Sequence, residues 1–336
     1  PVSYKDFKVN SKATFYSLGE YENLLLESLD VSSDHSKFSG VKLKTKYSKH
    51  ALTQMIKVER DHYDLVIDSI TLKNQDFGFR QDSLFYFKSE RVDLYQPNFK
   101  IFRDKLVVDD SSIKPLYSKV LRDLGFDLTL NNVFLNNTSI TYTEKTKEET
   151  SGGKILFSKL NGEIKNLSNT YKSKDSITSI NLQAIFMDNT PIDVDWKFDV
   201  NDLQDTFVFK AKKGGLKAES MNQFMEPNLN IKLEGSIKQT HFTINGNDDT
   251  SQIDLQIKYD EFNVIVLKEK TKKKNKFLST IVNVFVSKDS EDVSNDFRKG
   301  SKSDVERDKT KSVFNYLWIT LKEGLLHAMT GDGKKK

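Results

Sequence analysis

The segment FDLTLNNVFLNNTSITY, Phe126 to Tyr142, decides how the chain is read, because its apolar residues alternate in groups. Phe126, Leu128 and Leu130 come first, then Val133 and Leu135, then Ile140 and Tyr142. Period two is the spacing of a strand with one buried face. Asn136-Asn137-Thr138-Ser139 breaks the alternation with turn-forming residues, so the segment predicts a strand, a turn and a second strand. The same pattern occurs 63 residues earlier in YDLVIDSITLKNQDFGF, Tyr63 to Phe79. Asp64, Leu65, Leu72 and Asn74 recur there as Asp127, Leu128, Leu135 and Asn137. A repeat of this length built from strands predicts stacked β units rather than a closed single-site enzyme, although any two hairpins of one sheet resemble each other.

On the N-terminal side, residues 1–111 read as a β region of short strands: Phe15 to Ser17, Leu24 to Val31, Val41 to Lys44, Leu65 to Leu72, Leu84 to Phe87, Val92 to Tyr95 and the FKIF run at Phe99 to Phe102. The period then changes. Ile113, Leu116, Tyr117, Val120, Leu121 and Leu124 predict an amphipathic helix over residues 112–125, capped by Ser111 or Ser112 and stopped at Gly125.

On the C-terminal side, residues 126–268 form a regular β region. It opens with a charged hairpin loop, TEKTKEETSGGK, expected to be mobile, and continues through Val194, Trp196, Phe198 and Val200, which alternate with polar residues. One or two helical turns are expected at Met221 to Met225. The hairpin around Gly246-Asn247-Asp248-Asp249 is the most regular in the chain, and the apolar run Phe262 to Leu267 predicts burial on both faces. Residues 269–336 comprise the rest of the basic linker KEKTKKKNK, a segment with helical spacing at Leu278 to Phe285, a loosely ordered polar stretch from Ser287 to Lys311, and a C-terminal helix at Val313 to Met329.

Composition narrows the function. The 336 residues carry 52 Lys and Arg against 48 Asp and Glu, so the net charge of +4 gives no concentrated basic surface for nucleic acid. With no cysteine, disulfides and thiol catalysis are excluded, which suits a cytosol or a periplasm. The first residue is Pro1, and no run of about 20 apolar residues is present to span a bilayer. Either an N-terminal part has been removed or the chain is a fragment of something longer, and a missing leader could carry a membrane anchor.

Chemistry-bearing constellations are sparse. His35, His50, His62, His241 and His327 lack partners at metal-ligand spacing. Asp193 and Asp195 share one strand face, as paired carboxylates of a glycosidase do, but such a face is ordinarily solvated. Lys212-Lys213-Gly214-Gly215 and Gly331-Asp332-Gly333-Lys334 do not match a phosphate loop, and Asn247-Asp248-Asp249 is explained by a turn before a calcium site. The reading is of a protein that is not an enzyme and needs no metal or cofactor. Long strands with one apolar face and only two or three helices leave that face to be buried by a second sheet or by a ligand.

Several segments together resemble one family. FKIFRDK (Phe99 to Lys105), IKPLYSKVLRDLGFDLTLNNVFLNNTSITYTEK (Ile113 to Lys145), the block Met221 to Leu267 and the ending SVFNYLWITLKEGLLHAM (Ser312 to Met329) are similar to the large AsmA-like proteins of Gram-negative envelopes, particularly their Bacteroidetes branch. The resemblance implies a repeating β-groove architecture related to TamB and the chorein-type bridge proteins. It also implies a periplasmic location with attachment to the inner membrane through a segment absent from this chain, and a role in phospholipid movement or envelope homeostasis.

The combined expectation is a mainly β fold: a long, curved antiparallel β-sheet forming a groove, with two to three amphipathic helices including a C-terminal one. Leu128, Leu130, Trp196, Phe198, Ile231, Leu233, Phe242, Ile244, Leu255 and Ile257 are the expected lining for phospholipid acyl chains. Phe314, Leu317, Trp318, Leu321 and Leu325 are the expected contacts to a membrane or to another envelope protein. Two alternatives stand beside this: a filled β-sandwich scaffold that binds an envelope protein through its C-terminal helix, and a carbohydrate-binding β domain presenting Trp196.

Overall fold

The computed structural model of the chain describes residues 6–80, 83–170, 176–267 and 297–330. The chain is mainly β. Its strands are β1 (Lys8–Leu18), β2 (Glu22–Ser32), β3 (His35–Thr45), β4 (Asp61–Phe79), β5 (Phe85–Tyr95), β6 (Asn98–Asp104), β7 (Asp127–Lys145) and β8 (Gly153–Ser168), followed by β9 (Ile177–Phe186), β10 (Thr190–Asp199), β11 (Phe207–Lys213), the two-residue β12 (Leu216–Lys217), β13 (Ile231–Gly246), β14 (Thr250–Val266) and β15 (Arg298–Glu306). The helices are α1 (Lys49–Met55), α2 (Tyr117–Arg122), α3 (Asn222–Leu229) and α4 (Val313–Thr330). All the strands belong to one sheet, which runs from β1 at one edge to β15 at the other almost in chain order.

The segment Phe126–Tyr142 is not a hairpin. It lies in one 19-residue strand, β7, and its counterpart Tyr63–Phe79 lies in another, β4. The expected turn residues instead make a bulge. Asn137 takes a left-handed backbone, φ 52°, and the pairing with β8 slips between Leu135 and Thr138. One inserted residue switches which positions face inward, so the change of apolar parity between Leu135 and Ile140 keeps both groups on one face. Similar left-handed residues, Gly40, Gln96 and Lys159, occur in β3, between β5 and β6, and in β8. Asn74, the repeat partner of Asn137, is also left-handed at φ 50°, so the recurring asparagine has a backbone reason. Sequence alone cannot separate a bulge from a turn here, because both use Asn with positive φ.

β5 and β6 form one line broken at Gln96-Pro97. Together they pair antiparallel with β4 and parallel with β7. Pro97 has no N–H to give to a ladder, and the chain bridges the gap with Gln96 N donating to Asn136 O (2.9 Å) and Ser139 N donating to Pro97 O (2.8 Å). The sheet is therefore mixed, with a parallel junction, and not antiparallel throughout as expected. A parallel neighbour requires a crossover, and α2 lies in it.

That helix is shorter than the sequence suggested. The helix begins only after Leu116, whose backbone is extended (φ −68°, ψ 160°); Pro115 disfavours a helical Lys114, and no side chain caps the N-terminus. α2 is bound by polar contacts: Ser118 Oγ donates to Asp205 Oδ1 (2.7 Å), and Arg122 donates to Asp205 Oδ1 (2.9 Å) and to Val200 O (2.7 Å).

Three other expectations change. The loop after β7 is anchored to α3 through Thr146 Oγ1 donating to Asn228 O (3.2 Å) and Lys147 Nζ to Asn230 Oδ1 (2.5 Å). Within the stretch expected to be loosely ordered, Arg298–Glu306 is the edge strand β15, paired with β14 although its side chains are nearly all polar. The run Phe262 to Leu267 is not buried on both faces: Phe262 is buried but Val266 is exposed. The C-terminal helix is present as α4, and the short α1, capped by Ser48 Oγ accepting from Ala51 N (3.2 Å), went unpredicted. The linker at Lys268 to Lys276 and the helical spacing at Leu278 to Phe285 lie outside the described residues.

Candidate functional site: two faces of one sheet

Strand register places the apolar residues in cross-strand rows. One row passes through Phe38, Ile70, Leu94 and Leu135, then Gly162, Leu182, Val194, Ala211, Phe242 and Leu255. The next row passes through Leu72, Val92, Val133 and Ile164, then Ile180, Trp196, Phe209, Ile244 and Ile253. An apolar face therefore crosses the sheet from β3 to β14, and its two ends are treated differently.

At the C-terminal end, helices cover it. Trp196, Phe198, Ile244, Ile253 and Leu255 pack in one buried cluster with Leu116 and Leu121 around α2, Met225 of α3, and Val313, Tyr316, Leu317, Ala328 and Met329 of α4. Gly324 lets α4 sit directly on Ile253, where a Cβ would meet that side chain at 3.0 Å. The cluster draws no buried member from β1 to β6. At that N-terminal end Val92 and Val133 are buried, but Phe38, Ile70, Leu72, Leu94 and Leu135 are only partly buried, and a rim of rings stays accessible. Phe77 touches Phe7 and Phe87, Phe85 touches Phe79 and Phe126, and Phe79 is 73% exposed.

This placement redistributes the expected lining. Trp196, Phe198, Ile231, Leu233, Ile244, Leu255 and Ile257 are buried core residues, while Leu128, Leu130 and Phe242 are partly buried. Trp196, held between Tyr117, Phe209 and Phe314, offers no surface for a sugar. Of the expected contacts on α4, Leu317 is buried, and Leu321 and Leu325 pack on the cluster. Phe314 and Trp318 are exposed, with the Phe314 ring against Tyr117 of α2. The open residues Phe38, Ile70 and Leu94 were missed, although their alternation was visible, because coverage by helices is a tertiary fact.

The covered face also holds a charged misfit. Lys213 carries its ammonium into apolar surroundings with no hydrogen-bond partner, and its cross-strand neighbour Thr240 has an unsatisfied hydroxyl as well. Burial pushes the Lys213 amine down to about 8.

The opposite face is polar and bears a cavity of about 1440 Å³. Asn161, Gln183, Asp193, Lys212, His241 and Gln256 stand in one cross-strand row that continues to Lys299. Glu163, Asn181, Asp195, Lys210, Thr243 and Asp254 stand in the next, with Phe134 at one end and Ser301 at the other. Gln183 Nε2 donates to Asp193 Oδ1 (3.0 Å), and Lys197 pairs with Asp195 (3.4 Å). The two histidines that sequence spacing left unrelated, His241 and His327, both border this cavity; His241 lies against the Phe297 ring, and His327 Nδ1 accepts from Ser301 N (3.0 Å). Among the described residues no group of His and carboxylates is placed to hold a metal ion, and no helix is long and apolar enough to cross a membrane.

No protein-family model matches the chain, and no curated protein matches it either.

Proposed function

We propose that the protein is a non-enzymatic lipid-binding component of a bacterial envelope, one that shelters phospholipid acyl chains against the uncovered part of its apolar sheet face. The observation that supports this reading is the change along one continuous apolar face: helices cover it over β10 to β14, whereas over β3 to β7 no helix cluster among the described residues covers it and Phe38, Ile70, Leu72, Leu94 and Leu135, which line up in register, are only partly buried. Water against such a face is costly, and acyl chains remove that cost at about 25 cal/mol per Å² of apolar area buried. Binding of this kind needs no bond chemistry, metal or cofactor. The aromatic rim at Phe77, Phe79 and Phe85 suits the entry of a chain with a polar head, since rings pack on methylenes at the margin of water.

In this reading the sheet is a curved groove of the AsmA-like kind, located in the periplasm, with inner-membrane attachment supplied by chain outside this sequence. Native mass spectrometry of detergent-free preparations tests the proposal. Co-purified phospholipid that falls several-fold in an Ile70→Asn, Leu94→Asn variant supports it, and an unloaded mass across repeated preparations refutes it.

A second reading, a scaffold that docks another envelope protein through α4, rests on the exposure of Phe314 (62%) and Trp318 (37%) on that helix. It predicts that Phe314→Ser abolishes capture of a partner while lipid content is unchanged.

A further inference from the structure

The cavity on the polar face is independent of the lipid reading, and its lining is unlike a lipid site. Its two rows project side chains with both donor and acceptor atoms, on strands spaced about 4.8 Å apart. Between them runs a floor that includes Gly162, Val194 and Ala211, whose side chains or single hydrogens belong to the other face. Among the described residues Asn181, Thr243 and Gln256 make no side-chain hydrogen bond, which leaves their polar atoms available to a ligand. Lys210, Lys212 and Lys299 are balanced by Glu163, Asp193, Asp195 and Asp254. That balance disfavours a polyanion such as nucleic acid, which needs a net basic surface. Leu135, Leu182, Phe242 and Leu255 also border the cavity, but they stand in the row whose side chains belong to the other face. The side chains that project from the two flanking rows are therefore mainly polar, which disfavours acyl chains.

We infer that this cavity is a binding site for a neutral, linear oligosaccharide lying across the strands between the two polar rows. Pyranose hydroxyls both donate and accept, which is what carboxamides such as Asn181 and Gln256 demand of a partner. Neighbouring strands lie about 4.8 Å apart, so an extended chain crossing them meets a polar side chain of each row at every strand. At one end His241 and Phe297 (5.7 Å between ring centroids) provide an aromatic wall, and at the other stands Phe134, with the Arg91 guanidinium 4.2 Å from its ring. A sugar face packs on such rings through its C–H groups. This site replaces the sugar platform expected at Trp196, which is buried.

The test is isothermal titration of the purified chain with hexasaccharides of β-1,4-glucose, α-1,4-glucose and β-1,4-N-acetylglucosamine, alongside hexaglutamine as an extended polar peptide. Saturable binding of at least one sugar, weakened tenfold or more by Asn181→Ala with Gln256→Ala and unchanged by Lys12→Ala on the far edge strand, supports the site. Both substituted side chains are exposed, and circular dichroism melts verify that the variants fold. Absence of heat with all three sugars, equal affinity in wild type and double variant, or a preference for hexaglutamine overturns it. Phospholipid content by native mass spectrometry stays unchanged in the double variant, so failure here is distinguishable from failure of the lipid proposal.

Discussion

The two ends of the sheet use the same alternation and reach different outcomes. Over β10 to β14 the apolar row ends under helices, and Trp196, Ile244 and Ile253 are nearly inaccessible. Over β3 to β7 the row continues through Phe38, Ile70 and Leu94, which stay partly buried, and the helix-bearing cluster of the described residues does not extend over it. The lesson is that a strand pattern states which face avoids water and leaves open what will cover it. Here the difference is made by two chain segments far from the strands they cover, the crossover with α2 and the terminal helix α4.

The sharpest way to break the comparison is to remove a large side chain from the covered end. Trp196→Ala is expected to destabilise the fold by about 3–5 kcal/mol through lost burial and a residual cavity, whereas Ile70→Ala at the open end is expected to cost only about 1–2 kcal/mol. Urea denaturation of both variants measures the contrast, and equal losses would mean that the N-terminal face is covered too. Next in size is the polar latch of α2. Asp205→Ala leaves Arg122 and Ser118 without their shared acceptor and is expected to cost roughly 2–4 kcal/mol, with a rise in fluorescence of a dye that reports exposed apolar surface.

Lys213 gives a pH-dependent version of the same comparison. Its amine is pushed below the usual lysine value, to about 8, so between pH 8 and the ordinary value near 10.5 the unfolded chain binds more protons than the folded one. Stability attributable to this group therefore rises with pH across that window. Lys213→Met is expected to raise stability at pH 7 by on the order of 1–3 kcal/mol and to remove that slope, as thermal melts at pH 7 and pH 9.5 will register. The smallest effect belongs to the bulge. Asn137→Gly is expected to be within about 0.5 kcal/mol of neutral, while Asn137→Val, a β-branched residue forced to positive φ, is expected to cost about 1–2 kcal/mol.

These contrasts also mark what the residues disclose on their own. The strand character of the chain, the C-terminal helix and the hairpin at Gly246 to Asp249 followed from local periodicity and turn chemistry. The continuity of β4 and β7 did not, because Asn-rich stretches serve turns and bulges through the same left-handed backbone. β15 was hidden for another reason: an edge strand with few apolar side chains, held by backbone pairing to β14, has no hydrophobic alternation to detect. For the candidate sites, the alternating residues were legible but their coverage was not. The polar rows were missed because each of their members, taken singly, is an ordinary solvent-facing residue, and only the register across β8 to β15 collects them.

The parallel junction between β5, β6 and β7 has a kinetic consequence. Every other neighbouring pair with a described connection can form as a local hairpin or after a short excursion, so two antiparallel arms, β1 to β6 and β7 to β14, can each assemble from nearby contacts. Joining them requires closing the loop of residues 105–126 and seating α2 on the second arm, a step that loses chain entropy before its contacts form. Refolding is thus expected to be biphasic, with the arms preceding their union, and a chain ending at residue 104 should resemble the first arm in isolation.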